Sequence, residues 1–147
     1  MSIPIFILFF SSVALPVVEF ETVRYERPLR TIRGKLTGFG YVVSSLSVQV
    51  YDNAELWLDD SMPMVEKRKR QNLVASAEPN EHGEFKVKHL PKGFYEIEFG
   101  NGGTGGYNIL SVLVNVDPKG AKDALCVDVS LESVPSPRSS VRRCTPK

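Results

Sequence analysis

Apolar and polar residues alternate with a period of two along the middle of the chain, the pattern that puts successive side chains of an extended strand on opposite faces. Ile32-Arg-Gly-Lys-Leu36 alternates first. In "LSVQVYD", Leu46, Val48 and Val50 then share one face, with Ser47, Gln49 and Tyr51 on the other. The glycines of "TGFGYVVSS" supply the turn between these two runs. "NLVASAEP", from Asn72, is a weaker strand with small and apolar residues on both faces, ended by Pro79. The sharpest alternation lies in "EFKVKHL" and "FYEIEF". Phe85 and Val87 face inward against Lys86 and Lys88, and Tyr95, Ile97 and Phe99 face inward against Glu96 and Glu98. The outward lysines and glutamates are placed to pair across neighbouring strands. Leu110, Val112, Val114 and Val116 form a further inward row, and Leu125, Val127, Val129 and Leu131 another. Helical periodicity is nowhere convincing.

About seven short strands separated by turn residues predict an all-β fold, an antiparallel two-sheet sandwich of Ig-like type. A chain of 147 residues has room for one such domain, assigned here to residues 29–132. Residues 133–147, "SVPSPRSSVRRCTPK", are rich in Pro, Ser and Arg and predict a disordered tail or tether. At the other end, the apolar run from Ile3 to Phe10, followed by Ser12-Val13-Ala14, resembles a secretory signal over residues 1–15. No Lys or Arg precedes that run, so a buried edge strand or a mis-assigned start remains the alternative. The run is too short for a membrane span. A secreted, periplasmic or cell-envelope location is therefore expected.

Charge changes this picture little. A formal net charge of +1 gives no whole-protein field and no argument for a nucleic-acid partner. Cys126 and Cys144 are the only cysteines. In an exported chain they could form a disulfide between the last strand and the tail, and otherwise they are two unrelated thiols. With His82 and His89 they offer no ligand spacing for zinc, and no metal or cofactor is expected. "GNGGTG", from Gly100 to Gly105, matches G-x-G-x-x-G literally. A strand rather than a helix follows it, so it reads as a hairpin connection and not as a dinucleotide site. Neither histidine lies beside a nucleophile in a local catalytic motif. Glu55, Asp59 and Asp60 lack the spacing of a calcium loop and read as a solvated acidic stretch.

The least regular interior segment is Asp52–Gln71, a length of loop that is uncommon in compact domains and often functional. It carries Trp57 and the basic run Lys67, Arg68, Lys69 and Arg70, which together make the candidate recognition loop. An anionic polymer or lipid surface would suit that run, and a solvated loop tip is its plainer reading.

From Asn80 onward the chain resembles the carboxypeptidase regulatory-like family, whose prealbumin-like domains combine an acidic turn, G-x-F, a strand, L-P-x-G-x-Y and a second strand. Glu81, Gly83, Phe85, Val87, Leu90, Pro91, Gly93, Tyr95 and Ile97 carry the likeness, with Gly34, Leu36, Val48 and Val50 matching the earlier strands. Each central residue also has a physical role. Gly83 permits a tight turn, Phe85 anchors a strand, Pro91 interrupts pairing, and Gly93 can take a left-handed conformation before Tyr95 turns inward. The resemblance implies a non-catalytic accessory sandwich, often exported and sometimes grouped with carbohydrate-binding-like folds. Binding of a protein or a glycan is thus the first functional expectation. A structural cell-envelope domain held by its tail is the second. A transthyretin-like hydrolase is the third, and it lacks its C-terminal Y-R-G-S signature here.

Overall fold

The structure, a computed structural model, describes residues 20–38, 40–100, 106–132 and 138–145. The expected signal sequence and most of the glycine-rich stretch after Gly100 lie outside them.

Ten strands run through the described residues: β1 (Phe20–Leu29), β2 (Arg33–Gly38), β3 (Tyr41–Val42), β4 (Ser47–Tyr51), β5 (Leu73–Ala77), β6 (Glu84–Lys86), β7 (Gly93–Gly100), β8 (Ile109–Val116), β9 (Leu125–Val129) and β10 (Ser140–Arg143). One sheet has the order β1-β8-β7-β4-β5; the second has β10-β9-β2-β3, with β6 beside β3 on the same flank of β2. Leu36, Val48, Val50, Ile97, Phe99, Val112, Val114 and Val127 point from both sheets into one apolar core. The rings of Phe85 and Phe99 meet edge to face there, with centroids 5.4 Å apart, joining β6 of one sheet to β7 of the other.

Three expectations are corrected. First, the sheets are mixed, not antiparallel: β1 runs parallel to β8, and β2 runs parallel to β9. Alternation fixes which face a side chain occupies, but strand direction depends on which distant segment lies alongside. Second, β1 extends the domain to Phe20, nine residues before the expected start at Leu29. Apolar alternation misses it because its inward face carries Glu21 beside Val23 and Tyr25, and because Pro28 punctuates its end. Third, the tail expected to be disordered supplies β10, which pairs with β9 from Ser140↔Asp128 to Arg143↔Leu125. A disulfide between Cys126 and Cys144 closes this pairing.

The stretch from Asn80 to Phe99 does not form a hairpin. β6 pairs with β2, whereas β7 pairs with β4 and β8, so Val87–Lys92 crosses from one sheet to the other. Val87 and Leu90 are buried at that corner, and the Tyr95 hydroxyl donates to the Pro91 carbonyl at 2.8 Å. Gly83 has φ +76°, and a Cβ there would strike the Leu36 carbonyl, so a side chain is excluded on both counts. Gly93 does not use the left-handed conformation open to it; it opens β7 and leaves room above the Tyr95 ring. Gly34 is required for another reason: its Cα packs against the Leu125 backbone, which a Cβ would meet, so β2 and β9 can lie side by side.

Candidate functional site

Asp52–Gln71 is folded, not loose. A 3-10 turn (Ala54–Leu58) and a short helix α1 (Met64–Lys69) lie across the outer face of the first sheet. There Glu96 is fully buried, although alternation places it outward on β7. Its carboxylate receives four hydrogen bonds. Ser111 Oγ and Arg68 Nη2 donate to Oε1 at 2.6 and 3.0 Å. Trp57 Nε1 and Arg68 Nη1 donate to Oε2 at 2.7 and 3.1 Å. Arg68 also reaches Glu98 at 2.6 Å and lies 3.8 Å above the Tyr51 ring. Trp57 stacks on Phe20 of β1 with ring centroids 5.4 Å apart. Gln71 closes the segment by donating to the Asp52 carbonyl at 2.9 Å.

Burial raises the Glu98 carboxyl above its ordinary value, and the neighbouring Glu96 charge adds to this while Arg68 opposes it. Burial also raises the Tyr51 hydroxyl, helped by Glu98. A buried charged cluster of this kind adds little net stability, because desolvation offsets most of the attraction. What it specifies is position: Arg68 and Trp57 can satisfy Glu96 only when the segment lies in this one place.

The basic run is therefore divided. Arg68 points down to Glu96 and Glu98, and Lys67 is buried with its ammonium 5.3 Å from the Trp57 ring centroid. Lys69 pairs with Glu66 at 3.2 Å, and Arg70 remains exposed. His82 lies exposed in a turn, 3.4 Å from Glu81, and His89 lies exposed in the irregular crossing between the sheets. No group of three or more His, Cys, Asp and Glu among the described residues could hold a metal ion.

The outward face of the second sheet is different. Arg33 and Lys35 project from β2, Glu84 and Lys86 from β6, and Arg142 from β10, with strand register setting Arg33 beside Lys86 and Lys35 beside Glu84 and Cys126. Arg142 sits opposite Cys126, so the disulfide lies in the same face. These residues line an open groove of about 730 Å³. A second depression of about 450 Å³, which shares Arg33, adds Lys122 and Arg143. None of the six cations forms an ion pair with a described residue. Arg33 is held by its hydrogen bond to the Lys122 carbonyl at 2.8 Å. The sequence signal for this array is Arg-x-Lys at 33–35, the lysine at 86 and the paired arginines at 142–143. Only the register joins them.

Among the described residues no helix is long and apolar enough to cross a membrane. No protein-family model, no curated protein and no solved structure matches the chain.

Proposed function

We propose that this chain is a non-catalytic recognition module, working outside the reducing cytosol, that binds an anionic protein or glycan on the outward face of its second sheet. The observation that carries the reading is the set of cations Arg33, Lys35, Lys86 and Arg142, which form no ion pair with a described residue, on one disulfide-closed face. A cation already paired gains little from a ligand, whereas an unpaired one on a fixed strand meets an anion without reorganising. The disulfide suits an oxidising compartment, as does the signal-like run at the N-terminus. The carboxypeptidase regulatory-like resemblance supports an accessory module in preference to an enzyme. The tether reading gains no such support, because Ser140–Arg143 is built into the sheet and Cys144 is bonded to the body.

Retention of the full chain on heparin and on immobilised poly-glutamate tests this location. Lys35→Glu/Lys86→Glu is expected to abolish retention on at least one matrix, and Lys69→Glu/Arg70→Glu, on the exposed end of the helical segment, to leave it unchanged. The opposite pattern would move the site to the 52–71 segment, and retention on neither matrix would remove the anionic ligand.

A further inference from the structure

We infer that the ligand of this face is an extended polysaccharide bearing sulfate or carboxylate groups at regular intervals; the inference rests on the face being the binding surface at all. Size is the first argument. Lys86, Arg33 and Arg142 lie on β6, β2 and β10, with β9 between the last two. At a strand spacing of about 4.8 Å the array spans roughly 14 Å, before Lys122 and Arg143 extend it. A single phosphate or sulfate would engage two of these side chains and leave the others idle. A chain with repeated charges engages them together, each further contact forming at high effective concentration.

Charge distribution is the second. Six cations line the two depressions, Arg33, Lys35, Lys86, Lys122, Arg142 and Arg143, against the carboxylates of Glu84 and Asp123. Asp123 is already engaged by Arg27 and the Tyr25 hydroxyl, both at 3.3 Å. Since the whole chain carries only +1, the remainder is net negative. A polyanion is thus drawn to this face in preference to the remaining surface taken together.

The chemistry of the lining disfavours the competing polyanions. A peptide strand laid across the middle of the face would gain no ladder hydrogen bonds, because the backbone groups of β2 and β9 are spent within the sheet; strand addition would use the outer edge of β6 or β10, which leaves the cations of β2 unengaged. Single-stranded nucleic acid needs aromatic rings to stack on, and the one aromatic residue in the lining, Phe85, is buried. A bilayer surface would favour several apolar residues beside the cations; among the described residues Val42 of β3 adjoins the lining, opposite Thr37, while Leu58, Met64, Val65 and Leu73 belong to the first sheet and the segment that covers it. What the lining does offer beside its charges is the hydroxyls of Thr37 and Thr145 and the planar donor forks of Arg33 and Arg142. Sulfate and carboxylate accept bidentate hydrogen bonds from such forks.

Calorimetric titration of the full chain decides the matter, with heparin oligosaccharides of increasing length, polygalacturonate, poly-glutamate, a single-stranded oligonucleotide and phosphatidylserine vesicles as probes. The expected result is that heparin or polygalacturonate binds tightest, that affinity rises with chain length, and that Lys35→Glu/Arg142→Glu weakens it tenfold or more with an unchanged melting temperature. Lys35→Gln/Arg142→Gln should weaken it in the same direction, which covers the case of a poorly folded reversal variant. Equal or tighter binding of poly-glutamate would overturn the polysaccharide while leaving the anionic face intact. Preference for the oligonucleotide or the vesicles, length-independent binding, or binding unaffected by both variants would also overturn it. Binding to none of the probes would sink the face and the polysaccharide together.

Discussion

Glu98 shows how a single side chain records its surroundings. It is two residues from Glu96 on the same face of β7, shares Arg68 with it, and has its carboxyl raised by burial first and by the Glu96 charge second. A carboxyl whose folded value exceeds its unfolded value favours the folded state when protonated. The associated stability is present below 4.5 and lost as pH rises through the raised value. Urea midpoints of the wild type are therefore expected to rise as pH falls from neutrality toward 4.5, and Glu98→Gln should flatten that rise. A Gln variant with the wild-type pH profile would refute the assignment. Asp59 and Asp117 act in the opposite sense, since hydrogen bonds from Ser61 and Lys119 lower their carboxyls, but their window lies below 3.8. At this scale the sequence was half legible: the outward position of Glu96 follows from alternation, while its burial depends on Arg68 and Trp57 arriving from a segment with no periodicity.

Strand β10 shows the same division between what is local and what is distant. "SSVRRC" holds one large apolar residue, Val141, too little to announce a strand beside Pro- and Ser-rich neighbours. It is ordered by β9 on one side and by the Cys126–Cys144 bond, which closes a separation of 18 residues. Closing a loop of that length contributes about 3 kcal/mol in the chain-entropy account. Cys126→Ser/Cys144→Ser is accordingly expected to lower unfolding stability by about that amount and to expose the amides of β10 to fast hydrogen exchange. Unchanged protection of Val141 would show that the strand holds without its bridge. Elsewhere the elements were readable where one face alone is buried, as in β4 and β9. Their pairing was not readable where the chain changes sheets, as between β6 and β7, because Pro91 marks an interruption without saying where the next strand goes.

For the molecule as a whole, β1 decides how the first sheet is finished. It covers the flank of β8, whose Ser111 and Leu113 are buried on the face opposite the core, and it brings Phe20 under Trp57. A variant beginning at Leu29 loses the partly buried Val23 and Tyr25 and leaves the apolar strand β8 as a bare edge. Its urea midpoint is expected to fall by the equivalent of about 3 kcal/mol, with aggregation on concentration. Equal stability of the shortened and full chains would make β1 an accessory. The charge asymmetry also belongs to this scale: a net charge of +1 conceals a cationic sheet face set against a net negative remainder.

By itself the sequence determined the class of fold, the residues of most strands and which of their side chains face the core, since alternation is a local consequence of backbone geometry and solvent exclusion. It also determined where glycine was needed for the turn at Gly83. Only the tertiary structure decided the parallel pairing of β1 with β8 and of β2 with β9, the seating of Asp52–Gln71 on Glu96, and the gathering of Arg33, Lys35, Lys86 and Arg142 into one face. Register and sheet order are relations between distant segments, and the energies that set them come from contacts that exist only once the chain has folded.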